Sequence, residues 1–416
     1  MRSDAIPETA HRGAAPERIR HGQPEFQRIT LALFAAGFAT FALLYCVQPL
    51  MPVFARDFHV SAAASSLPLS VTTGLLAPTL IVAGTVSEAR GRVPLMLASL
   101  LASALLTMSC ALAPRWSVLV ALRALAGIAF AGVPAISMAY LGEEVHPDSI
   151  GLAMGLAIGG NGLGGMTGRL LTAIVADVLS WRWAMAAVGM LGVAAAVVAW
   201  RTLPASRHFT SHPLRLGALS LTFWEQLNDA RLAPLYAEGF LLGGGFVTTY
   251  NYVAYHLLAE PYSLSHTAVG FIFVVYLVGI FASAWIGFLA DRVGRRTILA
   301  GMAAVMLAGI ALTATRPLGL VIGGVAVVTF GFFGGHSVAS SWVGLRASHA
   351  KAQAAALYLF FYYVGSSIAG SFGGVFWDRW GWPGVVGFVV ALAATALAIG
   401  LGPIRPDTPA RPVAVR

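Results

Sequence analysis

Among the ionisable side chains inside the long apolar runs of this chain are Arg123, Arg169, Glu238 and His336. A charge in such a run is costly, and by default it marks a substrate, ion or proton path. Histidine is the side chain that titrates near neutral pH, so His336 reads as a proton carrier, or else as a satisfied interhelical hydrogen-bonder. Glu238, the only acid inside a run, reads as a protonation site or as a water-exposed residue near the inner surface. Arg123 reads as a functional charge, or as a side chain that snorkels outward or bonds only backbone carbonyls. Arg169 reads as a partner for a substrate anion, a proton relay or a salt-bridge residue. The structural alternative is an ion pair with Asp57 or Asp177.

The stretch Thr248-Thr-Tyr250-Asn251-Tyr252-Val-Ala-Tyr255 is unusually polar and aromatic. Tyrosines offer apolar faces and hydroxyl donors to an organic ligand. Tyr250, Asn251 and Tyr252, with Tyr45, Gln48 and Tyr362, are the expected cavity-lining residues. An outer aromatic belt is the competing reading of the 248–255 stretch.

One charged, glycine-bearing loop occurs twice. The first copy carries Gly84, Glu88, Gly91 and Arg92; the second carries Gly287, Asp291, Arg292, Gly294, Arg295 and Arg296. The glycines permit a tight turn and close helix approach, and an acid at a helix end can hold an arginine by charge-assisted bonds. The repeat extends further: Phe130-Ala-Gly132 matches Phe332-Phe-Gly334, and Asp177 to Trp181 matches Asp378 to Trp382. Two parallel halves place a substrate site between them, near the midplane.

The elements that position these residues follow from composition. Of 416 residues, 58% are hydrophobic and 10% charged, against roughly 25% charged in soluble domains. Lipid must therefore cover much of the surface, and the absence of recurring alternating segments argues against a β-barrel. Apolar runs near 29–54, 62–86, 93–113, 117–141, 151–176 and 183–201 form one set of six. Those near 232–257, 264–289, 297–315, 318–344, 352–376 and 383–403 form a second. The expected fold is all-α and polytopic, with twelve transmembrane helices in two six-helix bundles around a central cavity. The expected divisions are a cytoplasmic tail over 1–28, bundles over 29–201 and 232–403, a cytoplasmic linker over 202–231 and a cytoplasmic tail over 404–416. Within the linker, Leu219 to Leu227 reads as a surface amphipathic helix or plain connection.

The net charge of +9 is topological in this setting. Only Arg56, Arg115, Arg182, Arg316 and Arg379 fall outside, and Arg123 and Arg169 within spans. The other nineteen of 26 basic residues then face the cytoplasm, with both termini. The acidic segment Glu143-Glu144-Val-His146-Pro-Asp148 breaks that rule locally. Residues 1–28 lack an apolar core and a cleavage site, so a removable signal is not expected. Cys46 and Cys110 read as core residues. Enzymatic readings fail: there is no nucleophile–base set, no zinc spacing and no phosphate-binding G-x-x-x-x-G-K-[ST]. Lys351 is the sole lysine. No cofactor and no metal are expected.

The pattern G-x-x-x-D-R-x-G-R-R, complete at Gly287–Arg296, resembles the major facilitator superfamily, and the resemblance covers essentially the whole chain. The first copy departs from it with Glu88 and Ala89. Arg123-Ala-Leu-Ala-Gly127-Ile-Ala-Phe-Ala131 resembles the family's R-x-x-x-G-x-x-x-A element. Gly151, Gly160, Gly164, Gly165 and Gly168 follow the spacing of its antiporter element, although Gly165 replaces proline and Arg169 the last glycine. Tyr45-Cys-Val-Gln48-Pro49-Leu-Met-Pro52 is similar to a bacterial acriflavine-sensitivity-type efflux branch. The resemblance implies that the two loops latch the halves at the cytoplasmic side, that Arg123 serves proton coupling or helix organisation, and that the glycines shape the outward seal between halves. It implies a secondary active transporter in the bacterial cytoplasmic membrane: a proton-coupled antiporter, functional as a monomer, exporting a small drug or metabolite by alternating access. The alternatives are a proton-coupled importer of an organic anion and a non-transporting membrane sensor. Substrate, protons and lipid are the expected partners, with no nucleic acid.

Overall fold

The structure is a computed structural model, and residues 17–210 and 223–402 are described. The 404–416 tail, the first part of the 1–28 tail and residues 219–222 lie outside them. Among the described residues nine helices are long and apolar enough to cross a membrane. One of these, Lys351–Leu401, is broken at Gly381 (φ +61°) and makes two crossings. Pro147–Val178 and Ala233–Leu258 have the length as well but carry more glycine and polar residues. Nine, one and two make twelve crossings, and the described residues contain no strand beyond an isolated bridge.

Helix α1 is Pro24–Tyr45, continued through Gln48–Leu50 into Met51–Asp57. Then follow α2 (Leu67–Arg90), α3 (Arg92–Ser109), α4 (Trp116–Phe130 and, past a kink, Gly132–Glu144), α5 (Pro147–Val178) and α6 (Trp181–Thr202). The second set is α7 (Ala233–Leu258), α8 (His266–Ile272 running through Phe273–Val275 into Tyr276–Val293), α9 (Arg295–Leu312), α10 (Leu318–Arg346), α11 (351–380) and α12 (382–401).

The duplicated loop has one conformation in both copies. Gly91 (φ +99°, ψ 148°) ends α2 and starts α3; Gly294 (φ +105°, ψ 130°) ends α8 and starts α9. Only glycine takes such angles without strain, and this is what the repeat conserves between its halves.

Packing within the halves is also duplicated. Gly160, Gly164 and Gly168 lie one turn apart on α5 and meet the α1 backbone at Phe34, Phe38 and Ala42. In the second half, Gly365 of α11 meets the α7 backbone at Phe240. Small residues at this spacing let helix backbones touch where lipid provides no hydrophobic drive. The glycine stripe of α5 thus seals α5 to α1 within one half, rather than one half to the other. Gly151 meets nothing.

Pro49 has no N–H to offer the Tyr45 carbonyl, and the α-helical run of α1 ends at Tyr45. Arg123 takes carbonyls just before that end. It donates to the carbonyls of Leu43 (3.0 Å), Leu44 (2.7 Å) and Pro68 (3.2 Å), fully buried. Thr72 Oγ1 in turn donates to the Arg123 carbonyl at 2.8 Å. Of the readings open for Arg123, the backbone-carbonyl one describes its contacts. It ties the ends of α1 and α2 to α4.

At the end of the first half near Gly91, the chain is strapped down. Glu144 is buried and accepts from the Arg207 N–H (2.7 Å) and the His208 N–H (3.0 Å), with His208 Nδ1 at 3.1 Å. Ile19 pairs with Val145, and Tyr140 Oη donates to the Pro204 carbonyl at 2.9 Å. The acidic α4–α5 segment therefore anchors the chain entering α1 and the chain leaving α6. Before α7, residues 223–227 are helical, and a hydrogen bond from Arg231 holds the Asp229 carboxyl below its ordinary range.

Candidate functional site

The described bonds between the first six and last six helices cluster at the end remote from Gly91 and Gly294. Asp378 accepts from the Ala62 and Ala63 N–H groups at 3.1 and 3.3 Å. Tyr255 Oη lies 2.6 Å from Ser65 Oγ and donates to the Met51 carbonyl at 2.9 Å. Ser371 Oγ donates to Ser70 Oγ (2.7 Å) and Ser367 Oγ to the Ser70 carbonyl (2.7 Å). Asp177 accepts from Thr267 Oγ1 at 2.6 Å.

Beneath this seam lies a buried polar chain. Arg169 Nε donates to Gln48 Oε1 at 2.5 Å, Gln48 Nε2 to Asn251 Oδ1 at 2.7 Å, and Asn251 Nδ2 to the Gly370 carbonyl at 3.3 Å. Gln48 and Asn251 occupy corresponding places on α1 and α7, so the repeat has set two amides face to face across the junction. Gly370, the counterpart of Arg169 in the second half, receives the chain at its far end. Arg169 lies nine residues from the end of α5, about 14 Å along the helix. Its guanidinium carbon is 4.3 Å from the centre of the Tyr45 ring and 4.5 Å from that of Tyr276, with Phe273 at 5.4 Å and Tyr250 at 6.0 Å. Cation–π attraction of this kind stabilises a desolvated cation.

Neither acid offered as a structural partner reaches Arg169. Asp57 Oδ2 accepts from Trp181 Nε1 at 3.0 Å, and Asp177 binds Thr267. That expectation is corrected: both aspartates belong to the rim, and among the described residues Arg169 bonds Gln48 and the Gly165 carbonyl, the latter at 2.7 Å, with the Tyr276 side chain close by.

The six expected cavity residues meet here, but packed rather than open. Tyr45, Gln48, Tyr250, Asn251, Tyr252 and Tyr362 are all buried. The Tyr45 and Tyr362 hydroxyls lie 3.2 Å apart across the junction. Tyr250 Oη is 2.7 Å from Thr329 Oγ1, and Tyr252 Oη donates to the Gly370 carbonyl at 2.9 Å. This burial replaces the aromatic-belt reading. A lateral groove of about 510 Å³ opens between α2 and α11, lined by Ser70, Gly74, Ser367 and Ile368 among others. None of the six lines it.

Glu238 and His336 lie closer to the Gly294 end. Glu238 is 1% exposed, and among the described residues neither carboxyl oxygen has a hydrogen-bond partner. The water-exposed reading of Glu238 is therefore replaced. The Tyr358 ring packs on the neighbouring Gly239, and Tyr358 Oη lies 2.9 Å from His336 Nδ1. The His336 ring is 5.0 Å from that of Tyr362. Tyr358, His336, Tyr362 and Tyr45 thus form a series of side-chain contacts that ends at Arg169.

The duplicated loops differ in their partners. Arg92 Nη2 pairs with Glu143 Oε1 at 2.6 Å and Nη1 donates to Ser87 Oγ at 2.6 Å. Glu88 is exposed and, among the described residues, makes no hydrogen bond or ion pair. The acid that holds Arg92 is Glu143, whose signal in the sequence was an acidic segment on the basic side. In the second copy Arg295 pairs with Asp291 and donates to Ser341 Oγ at 2.9 Å. Arg296 donates to the Gly400 carbonyl at the end of α12 (3.1 Å), and Arg292 lies over Phe288. These bonds hold each loop to its own half; the expected latch between halves is not formed by them in this conformation.

Twelve helices in two matched sets, a bonded seam at one end and buried charges between the sets define a polytopic helical transporter. The sequence profile of the Major Facilitator Superfamily matches residues 33–254 and 235–416, and the chain belongs to that family. It is 49% identical over 379 residues to the MFS-type transporter YybF of Bacillus subtilis, covering 91% of this chain and 94% of the relative. It is 45% identical over 382 residues to the inner membrane transport protein YnfM of Escherichia coli, covering 92% of each. The fold is shared with a bacterial homologue of the human lysosomal transporter Spinster in an inward-facing, occupied conformation (TM-score 0.74, 16% identity, 91% and 97% covered). It is shared also with the nucleoside transporter NupG (TM-score 0.73, 15% identity, 89% and 99% covered). The protein is a multi-pass membrane transporter, not an enzyme.

Proposed function

We propose that this transporter couples proton movement to export of a small organic compound across the cytoplasmic membrane. Residues 29–201 and 232–403 rock as two bodies about the buried polar chain. The Gly91 and Gly294 loops and both termini face the cytoplasm, and a single copy of the chain suffices. Glu238 carries the reading. A buried carboxylate with no donor near either oxygen costs several kcal/mol, so in this conformation the carboxyl holds a proton. Opening the site to water stabilises the charged form, and the proton leaves. Proton affinity then differs between the two conformations, which is the condition for coupling. His336 and Tyr358 supply the next exchangeable groups, and the bonded outer seam supports an inward-facing state. The α5 glycine spacing and the Tyr45–Pro52 segment support the outward direction of transport.

The test is a toxin and metabolite sensitivity screen of a deletion strain, complemented with the intact chain or with Glu238→Gln. Rescue by the intact chain alone is expected; equal rescue by both removes Glu238 from the mechanism. Reconstituted vesicles carrying opposite pH gradients then separate export from import of the same compound.

A further inference from the structure

The two arginines buried in the membrane interior differ in one respect that decides their roles. Arg123 spends its guanidinium on three carbonyls and has no unpaired nitrogen. Arg169 is also fully buried, but among the described residues its Nη2 has no partner, and no carboxylate bonds it. A structural arginine at this depth is expected to be saturated, because each unpaired donor pays its desolvation in full. Arg169 is bonded at Nε and once at Nη1 while the nitrogen between those two edges is vacant. Both carboxylate-binding edges of the guanidinium fork run through Nη2.

The surroundings show what the vacant edge would face. Rings of Tyr45, Tyr250, Phe273 and Tyr276 surround the guanidinium. They leave a cation flanked by flat apolar faces, and three of the four rings come from the opposite half. The Gln48–Asn251 bond is the link that ties the Arg169 chain to that half. When the outer seam parts, this bond must break. Gln48 Nε2 then loses its acceptor and Asn251 Oδ1 its donor, beside a guanidinium already short of a partner.

We infer that Arg169 is the anchor for a carboxylate on the transported compound, received at Nη2 and Nη1 as the halves part, with the compound's flat apolar body against Tyr45 and Tyr276. This rests on the transport reading above and narrows its substrate to organic monocarboxylates. A carboxylate supplies a countercharge and can accept from the freed Gln48 Nε2 amide as well. A neutral amide of the same shape offers one weaker acceptor and no charge. A cationic compound would be repelled.

The test uses the purified full-length chain in detergent micelles at pH 7. Thermal stabilisation is titrated with acid–amide pairs: benzoate and benzamide, phenylacetate and phenylacetamide, indole-3-acetate and indole-3-acetamide. At least one acid is expected to stabilise the chain at a tenfold or more lower concentration than its amide. Arg169→Gln should erase that preference, Arg169→Lys should weaken it, and Arg56→Gln, at the exposed rim, should leave it intact. Acids no more effective than their amides across all three pairs would overturn the assignment without recourse to any variant. So would an acid preference that survives in Arg169→Gln. Proton-driven flux of neutral or cationic compounds by the intact chain, with no acid preferred, would sink the carboxylate and leave transport standing. Absence of flux for every compound under either gradient would instead sink the transport reading.

Discussion

Replacing Gly164 by alanine tests the packing that fixes Arg169 in place. A Cβ built there stands 2.6 Å from both Cα and C of Phe38 on α1. Ordinary carbon contacts lie at about 3.5–4.0 Å, so α1 must retreat from α5 by roughly 1 Å. Backbone atoms cannot swing aside as a side-chain tip would. A gap of that size forfeits about a quarter to a half of the dispersion energy of each contact along the seam. Overpacking of this kind costs about 1–3 kcal/mol. Gly155, on the same helix, is exposed and would meet nothing within 4 Å. Alanine there gains about 0.5–1 kcal/mol in helix preference with no clash. The two variants should therefore differ by about 1.5–4 kcal/mol, with Gly164→Ala below the parent and Gly155→Ala at or above it. Heating each purified chain and measuring the monodisperse fraction by size exclusion gives the order of their midpoints. Gly164→Ala as stable as Gly155→Ala would refute the close approach of α1 and α5.

Arg123→Ala frees three buried carbonyls, each worth about 1.5–3 kcal/mol as a partner to a charged donor; the yield of folded protein should collapse, and Arg123→Lys should restore it only in part. Asp378→Ala removes an acceptor from two N–H groups of the opposite half, an effect of about 0.5–2 kcal/mol by analogy with helix capping. Thiol labelling of a Ser371→Cys variant should then quicken, against a low background because Cys46 and Cys110 are buried; an unchanged rate would exclude Asp378 from the seam. Glu144→Ala deletes the acceptor of Arg207 and His208, so trypsin should cut after Arg207 several-fold faster, and equal cutting would show that the strap is held by other contacts.

The repeat made the architecture legible. A loop written twice with glycine at corresponding places implied one turn used twice, and Gly91 and Gly294 share nearly the same angles. Span edges were less legible: α5 begins at Pro147 rather than 151, because Pro147 opens a helix well despite the polar Asp148 and Ser149 that follow. The candidate site was legible as a set of residue types but not as a set of pairs. Arg169 and Asp177 lie on one helix two turns apart, yet the aspartate turns to Thr267 across the junction. Nothing local announces that choice, since it depends on how two halves dock. For the same reason Glu143 was missed: an acid on the basic side broke a counting rule, while its role was to hold Arg92. The partners of Arg123 depended on where Pro49 interrupts α1, a local cause whose consequence appears only when α4 packs beside it.

Lys351 stands exposed at the start of α11, just past Ala350 with its positive φ of 50°. Among the side chains it is the one primary amine in the molecule. Once the α-amino terminus is blocked, a succinimidyl dye or a bead linker would therefore modify a single defined point on the second set of helices. Such a tether would present every copy to an optical trap or a fluorescence microscope in the same pose, with no engineered cysteine required.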